Sequence, residues 1–408
     1  MKVFKFGGAS IKDSEAVENM AKIIKQYSNE PLIVVVSAMA KNTNLLEEIV
    51  KKRLNGANYA PLLEKFSSFH LEMARSLFEE PKIVTEKLGA LGSELESNIK
   101  RDLEPQKLYD SVVVYGERMS SAIVAAYLKK ATWLDARSYI KTDFHYQQAN
   151  INWSLTQSLL DEKFRNYKGV AVTQGFIGST RTGESTTLGR EGSDFTAAIF
   201  ATCLNAESVT VWKDVPGILN GDPKRIENTQ KFQQLPYQVA AEMTYYGASV
   251  IHPKTIKPLA NKNIPLYVKS FSHPEEAGTI IHDCKFDPLP TIIIKDDQCL
   301  ISFKVIDYSF VNEHNLSAIF KELALADIQI NIMQNSAVSF SIVVDNNPTK
   351  IENLVRKLSG DFKIRYNTGL QLITIKNYSE ELIKKYQKGN KILLEQTSRN
   401  NYRVLMSP

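Results

Sequence analysis

A chain of 408 residues, 43% hydrophobic and 23% charged, is long enough for two or three domains with well-buried cores and has an ordinary globular composition. Its net charge of +5 is small for that length and its basic residues are scattered, which argues against a nucleic-acid footprint or a polybasic membrane patch. No apolar run approaches the roughly 18 residues of a membrane span, the first residues read as a strand rather than a signal peptide, and Cys203, Cys284 and Cys299 lack metal-ligand spacing, so a reduced cytoplasmic setting without disulfide framework or structural zinc is expected.

Residues 2–6 form a short apolar strand that ends at Lys5-Phe6 and runs into Gly7-Gly8-Ala9-Ser10, with a helix predicted over 14–27. A strand passing through glycines into a helix is the outline of an α/β phosphate-binding turn, and Lys5 is placed to reach a phosphate or to sit in solvent. Leu32-Ile33-Val34-Val35-Val36 reads as a central parallel strand buried on both faces. It empties into a small polar loop containing Ser37 and Thr43, at the strand end where open α/β sheets place ligands. Residues 45–101 are predicted helical. Residues 111–115 are predicted as a further strand, ending in Gly116-Glu117 and opening an Ala-rich helix that runs to Lys130. Glu117 then lies at a strand–helix junction, either complementing the helix dipole or offering a carboxylate to a substrate ammonium.

After a short strand and turn at 133–137, residues 169–178 form a strand and glycine-rich turn that feed the stretch on which the rest of the reading is built. Thr186-Thr187-Leu188-Gly189-Arg190-Glu191-Gly192-Ser193-Asp194-Phe195-Thr196 packs glycines, an Arg, an Asp and several hydroxyls into a turn opening onto a helix that ends near Asn205. Glycine lets backbone approach a ligand. Ser193 or Asp194 can cap the helix, whose amino end favours an anion, and Arg190 brings a planar fork suited to carboxylate or phosphate. A strand at 208–212 leads into the polar loop 213–224. There Asp214 and Asp222 suit a ribose or an adenine-side polar group and Lys224 a phosphate, with turn chemistry as the other reading of each. Residues 240–259 are helical, interrupted at His252-Pro253, and 264–268 form a strand. Strands and helices thus alternate to about Cys284, which argues a three-layer α/β domain over 1–284. The six histidines, at 70, 145, 252, 273, 282 and 314, show no mutual spacing for a metal site or a catalytic dyad, and no metal-ligand set is expected.

Residues 285–290, with Pro288 and Pro290, read as a linker. Beyond it, strands at 291–294 and 300–305, a helix at 316–326, strands at 328–333 and 339–343 and a helix at 349–358 give a β–α–β–β–α unit over 291–368. A strand at 370–375, a helix at 380–387 and strands at 392–395 and 402–406 restart the pattern over 369–408 without its second helix. These are ferredoxin-like α+β repeats, suited more to ligand sensing or dimerisation than to catalysis.

Taken together, Lys5 with the Gly-Gly turn, the Ser/Thr loop, Glu117, the Arg190–Asp194 loop and the late Asp-rich loop could hold a nucleoside triphosphate beside a small zwitterion. Phosphoryl transfer asks mainly for alignment and charge neutralisation, by backbone N–H groups, lysines and Mg²⁺. A carboxylate acceptor needs no general base, because an Asp-type acid with a pKa of ~3.9 is already ionised at neutral pH. Arg190 would then clamp an α-carboxylate, and Glu117 with Asp194 an α-ammonium.

In these blocks the sequence resembles the aspartate kinases of the amino-acid kinase superfamily. The match runs in order through Lys5-Phe6-Gly7-Gly8-Ala9-Ser10, Val35-Val36-Ser37-Ala38-Met39, Gly116-Glu117, the Thr186–Asp194 stretch, Trp212-Lys213-Asp214-Val215-Pro216-Gly217, Asp222-Pro223-Lys224 and Gly247-Ala248-Ser249-Val250-Ile251-His252-Pro253. The resemblance implies an amino-acid-kinase-like catalytic domain followed by ACT domains. It also implies ATP- and Mg²⁺-dependent phosphorylation of the L-aspartate side chain to 4-phospho-L-aspartate, the entry to lysine, threonine and methionine synthesis. By matching position it assigns Lys5, Gly7, Gly8, Ser10 and Asp194 to catalysis at the phosphate. Ser37, Thr43, Glu117, Arg190, Ser193 and Asp194 go to the aspartate pocket, and Lys5, Lys213, Asp214, Asp222, Lys224 and Ser249 to the nucleotide. The ACT region implies a homodimer and an amino-acid effector, lysine or threonine.

Three departures stand out. Ala9 replaces the usual Thr, Ser249 the common Lys, and the second ACT unit is short, which puts feedback inhibition in question. Lys213 or Lys254 could replace the missing charge, and Lys213 is the expected stand-in. Two other readings compete: a superfamily member acting on glutamate or a nucleoside monophosphate, disfavoured by the Glu117/Arg190 pair and the C-terminal repeats, and a catalytically weak regulatory subunit, supported by Ser249 and Ala9 but disfavoured by the retention of Lys5, Arg190 and Asp194. With the chain ending at Pro408, no fused homoserine dehydrogenase is expected.

Overall fold

The structure, a computed structural model, describes residues 1–27, 30–248, 251–306 and 309–407. The chain divides into two compact units, one comprising Met1–Ile218, Lys231–Thr244 and Ser249–Phe286, the other Leu219–Gln230, Tyr245–Ala248 and Asp287–Pro408.

The first unit is mixed α/β. Its strands are β1 (Lys2–Phe6), β2 (Leu32–Val36), β3 (Thr132–Leu134), β4 (Val170–Gln174), β5 (Ile177–Ser179), β6 (Ser185–Thr187), β7 (Ser208–Lys213), β8 (Gln234–Leu235), β9 (Leu266–Ser270) and β10 (Thr279–Ile281). Its helices are α1 (Ser14–Lys25), α2 (Asn42–Leu54), α3 (Ala60–Leu77), α4 (Lys82–Lys100), α5 (Pro105–Tyr127), α6 (Trp153–Phe164), α7 (Gly192–Cys203), α8 (Tyr237–Tyr245) and α9 (Pro253–Asn261). One sheet runs β3-β4-β2-β1-β7-β9-β10-β8, with β5 and β6 as a separate hairpin. From β3 through β9 its neighbours pair in parallel, and β10 turns antiparallel to β9. All five residues of β2 are buried, as a central strand covered on both faces requires. In β1, Phe4 and Phe6 point to one face, against the rings of Tyr27 and Trp212. Lys5 points to the other face, which α7 covers. α1 begins where the Asp13 carboxylate accepts from the Ala16 amide at 2.9 Å.

The strand expected at 111–115 is instead the middle of α5, and Glu117 lies inside a helix rather than at a strand–helix junction. Val112-Val113-Val114 is a β-branched run that favours a strand by composition. The helix, however, is buried at every position from Asp110 to Ala125, so it has no polar face and no 3.6-residue alternation. A short apolar run cannot be told from a buried helix by periodicity. Pro105 at the first turn was the usable signal, since its missing N–H costs nothing there.

The second unit carries one antiparallel sheet, β12-β13-β11-β14-β16-β15. These strands are β11 (Thr291–Val305), β12 (Ile330–Asn335), β13 (Phe340–Asp345), β14 (Phe362–Lys376), β15 (Lys391–Thr397) and β16 (Asn401–Ser407), accompanied by α10 (Glu313–Leu325), α11 (Pro348–Leu358) and α12 (Glu380–Gln387). Two strands expected at 291–294 and 300–305 are one, because the polar run Lys295–Gln298 is a bulge rather than a turn, with Asp297 at φ 50. The long strands β11 and β14 pair along their whole length and serve two cores. Phe303 and Val305 pack with Phe362 and with Ile319 of α10 and Leu354 of α11. Ile292 packs with Ile373, Ile375 and Tyr402, against Leu382 and Ile383 of α12. Phe303, fully buried beside Phe340 and Phe362, fixes the first of these. Phe303→Ala is expected to lower stability by about 3–5 kcal/mol, read by urea denaturation followed through the second unit's far-UV signal.

Candidate active site

From β1 the chain adds β2 on one side and later β7 on the other. The segments after these strands therefore part at the carboxyl edge of the sheet and leave a crevice, where open α/β sheets hold ligands. Phe6 is level with Val36 of β2 and Trp212 of β7, so three strand ends meet there. Gly7 opens a short 3-10 turn, Gly8–Ile11. A Cβ at Gly8 would fall 2.4 Å from the Ala38 carbonyl oxygen and 3.0 Å from that of Ala40. The turn and the loop after β2 are thus packed backbone to backbone, and the Ala40 amide donates to the Gly8 carbonyl at 3.2 Å.

On the α7 face, Lys5 Nζ lies 2.6 Å from Asp194 Oδ1, and Lys213 Nζ, at the end of β7, 3.8 Å from Asp194 Oδ2. Asp194 itself is 3% exposed. α7 can enter this closely because a glycine faces it: a Cβ at Gly175 would lie 2.5 Å from the Ser193 Cβ. Arg190, just before the helix, is exposed and has no ion-pair partner among the described residues.

α5 buttresses the other side. Glu117 Oε1 accepts from the Ala38 amide at 3.2 Å and Ser120 Oγ from the Met39 amide at 2.8 Å, so one helix face holds the loop after β2. Glu117 is 3% exposed, its Oε2 has no hydrogen-bond partner among the described residues, and burial pushes its carboxyl up to about 8. Two turns earlier, Asp110 accepts from the Gln147 amide at 3.0 Å, the Thr187 amide at 2.9 Å and the Thr187 hydroxyl at 2.8 Å. It thereby clasps two segments that border the crevice, although burial raises its carboxyl to about 6. The Tyr109 hydroxyl donates to Glu47 Oε1 at 2.6 Å.

The crevice is a cavity of about 560 Å³. Of the residues singled out from the sequence, Lys5, Ser37, Thr43, Glu117, Arg190, Ser193, Asp194 and Lys213 line it, and Gly7, Gly8 and the buried Ser10 form the turn beneath. Asp214 is exposed and does not line it. Asp222 and Lys224 belong to the second unit, where the Asp222 carboxylate accepts from the Lys224 amide at 3.0 Å, as turn chemistry would have it. Ser249 lies outside the described residues. The cavity also recruits Glu47, Tyr109, Gln147, Gln148, Phe176 and Glu191, none of which the sequence reading assigned. Tyr109 was hidden by reading the start of α5 as non-helical, and Gln147 and Gln148 stand in an irregular polar segment without periodicity. Among the described residues no three His, Cys, Asp or Glu side chains gather into a metal cage, and no helix is long and apolar enough to cross a membrane.

Glu117 supplies a direct check on this geometry. A carboxyl raised from 4.5 to about 8 on folding contributes stability as its neutral form below the unfolded value, and that stability is lost as pH rises through the folded one. Glu117→Gln stays neutral at every pH. Its melting temperature relative to the parent is expected to be higher at about pH 9 than at about pH 5; an offset independent of pH would mean that Glu117 already has a cationic partner.

The amino acid kinase family model matches residues 1–270. The chain is 29% identical to the lysine-sensitive aspartokinase 3 of Escherichia coli strain K12, over 91% of this chain and 86% of that one. The crystal structure of E. coli aspartokinase III with aspartate and ADP, in the R-state, aligns with a TM-score of 0.85 at 26% identity, covering 100% of this chain and 96% of that one. The same enzyme with lysine and aspartate, in the T-state, aligns at 0.79 and 26%, covering 99% and 95%. A family model that matches most of the chain, over the unit whose strand ends, glycine turn and helix start build the cavity, establishes the relationship: the chain belongs to the amino acid kinase family.

Proposed function

We propose that the protein is an aspartate kinase, transferring the γ-phosphoryl group of ATP to the side-chain carboxylate of L-aspartate to give 4-phospho-L-aspartate. The observation that carries this reading is the charge arrangement of one cavity: lysines at strand ends beside a glycine turn, with Arg190 and one oxygen of the buried Glu117 on the walls, both without partners among the described residues. Likeness to aspartokinases over nearly the whole chain supports it.

Lys5 and Lys213 neutralise the phosphates, and Asp194 between them holds both ammonium groups in place. The Gly7-Gly8 turn presents backbone to the phosphoryl group. Arg190 takes the α-carboxylate as a planar fork, Ser37, Thr43 and Ser193 offer hydroxyls, and Glu117 receives the α-ammonium. The incoming positive charge lowers the Glu117 carboxyl from its value in the empty pocket. The acceptor carboxylate is already ionised, so no side chain removes a proton from it. Mg²⁺ would enter with the nucleotide, held chiefly by phosphate oxygens as is usual for this ion, and Asp194, which lines the cavity beside Lys5, is a candidate carboxylate close to it. Asp214, which follows Lys213 at the end of β7, remains a candidate for the nucleotide. The second unit, with its ferredoxin-like antiparallel sheet and helices, is the candidate seat of an amino-acid effector, lysine or threonine, and of a homodimer contact. Free Cys203 and Cys299, both buried, suit a reducing, cytoplasmic setting.

The test is to incubate the protein with Mg-ATP, L-aspartate and hydroxylamine and to measure aspartyl hydroxamate with and without L-lysine and L-threonine. Hydroxamate from L-aspartate but not L-glutamate is the expected outcome, and its suppression by one amino acid would name the effector; its absence from folded, ATP-binding protein would sink the reading. The same assay separates the lysines. Lys213→Ala is expected to raise the KM for ATP by roughly tenfold or more, the worth of one charge-assisted contact, and an unchanged KM would remove Lys213 from the phosphate site.

A further inference from the structure

Glu191, on the cavity wall, stands in a backbone conformation that its side chain disfavours. It has φ 54 and ψ 27, in the left-handed region that non-glycine residues rarely adopt and that persists where a function holds it. Glycines are at hand on both sides, at Gly189 and Gly192, yet this left-handed position carries a glutamate. Local structure gives no reason for it. Glu191 occupies the cap position of α7, but its side chain makes no capping hydrogen bond, and its Oε2 is buried without a hydrogen-bond partner among the described residues. A buried, unpaired carboxylate oxygen is costly unless a cation or donor arrives to meet it.

The other acids of the cavity narrow down which cation that is. Asp194 is occupied by Lys5 and Lys213, and Glu47 accepts the Tyr109 hydroxyl. Asp194 Oδ1, also without a hydrogen bond, is held by the Lys5 ion pair, so among the described residues Glu117 Oε2 on α5 and Glu191 Oε2 at the start of α7 are the buried carboxylate oxygens of the cavity with neither hydrogen bond nor ion pair. The phosphate side is defined by lysines. Arg190, the adjacent residue, has no ion-pair partner among the described residues and is suited to a carboxylate; the half-buried His252, held below its usual range chiefly by desolvation, is raised by Glu191 and lowered by Arg190, so both charges stand near it. In an α-amino acid the ammonium and the carboxylate share one carbon, so consecutive Arg and Glu side chains match neighbouring charges of opposite sign. We propose that Glu191 is a specificity-determining residue that accepts from the α-ammonium of the acceptor together with Glu117, so that the site selects a zwitterionic amino acid over a plain dicarboxylate. This rests on the aspartate kinase reading.

The experiment uses the full chain and its Glu191→Gly and Glu191→Gln variants in the hydroxamate assay, varying L-aspartate at saturating Mg-ATP. Succinate, which is aspartate without its ammonium, serves as competitor. Glu191→Gly relieves the left-handed backbone and is expected to melt no lower than the parent. Its KM for aspartate nonetheless rises by roughly tenfold or more, as for one lost charge-assisted hydrogen bond. Its KM for ATP stays unchanged, and its inhibition constant for succinate stays the same or falls. Glu191→Gln, which keeps the acceptor without the charge, lies between. Unchanged aspartate KM in both variants overturns the proposal, as does a parallel loss of succinate affinity. A rise confined to the KM for Mg-ATP overturns it too, by assigning Glu191 to the nucleotide's metal. If the parent gives no aspartyl hydroxamate, the aspartate kinase reading fails and this proposal with it; an active parent with indifferent variants removes the proposal alone.

Discussion

Asp194 is a nearly buried carboxylate shared by two lysines that arrive from different strands, and the rest of the cavity is arranged around that contact. An ion pair out of water repays its desolvation only when geometry is fixed in advance. Here parallel pairing does the fixing. β1 and β7 are neighbours in register, so period-two alternation sends Lys5 and Lys213 to one face and Phe4, Phe6 and Trp212 to the other. The stacked rings make that register costly to shift, since a slip of one strand by one residue would turn its lysine in among the aromatics. Removing Asp194 would leave two like charges at the end of the sheet, so the carboxylate organises the lysines as much as it pairs with them.

A second consequence is that acids, more than bases, set the character of the pocket before anything binds. Glu117 and Asp110 both lie on α5, seven residues apart and hence on nearly one face, and both are held above their ordinary range by burial. Asp110 is compensated by three donors and serves the architecture. Glu117 is compensated by one, with the opposite oxygen left for a ligand. The difference in satisfied hydrogen bonds, and not in burial, separates a structural carboxylate from a binding one on the same helix.

The same distinction explains what could be read from the chain in advance. β2 was legible because a parallel strand covered on both faces is an unbroken apolar run, and β1, β4 and β7 because short, mostly apolar runs lead into glycine or polar residues. Asp194 and Arg190 were legible because two glycines and a helix start surround them. α5 was not legible, since a helix buried all round has no stripe to betray its period. With it went Tyr109 and Asp110, whose partners Glu47 and Thr187 are far away in sequence. The bulge at Lys295–Gln298 hid the continuity of β11 for a related reason: a charged run signals a turn locally, and only the partner strand β14 decides otherwise. Glu191 sits within the stretch best read from sequence, yet composition alone gave no sign that its backbone is left-handed.

The glycine turn shows how much of a phosphate site can rest on backbone. Ala9, which lacks the hydroxyl common at that position in the family it resembles, is exposed, whereas at Gly8 the carbonyls of Ala38 and Ala40 leave no room for a Cβ. The constraint therefore falls on the glycine, and the neighbouring side chain is free to vary. On the proposed reading, the turn works through the path of its main chain and through Lys5 above it. A hydroxyl on the outer side of that turn adds a contact, but it does not hold the turn against the loop after β2. The substitution at 9 is thus compatible with an intact phosphate turn, because what shapes the turn is the close approach of two backbones.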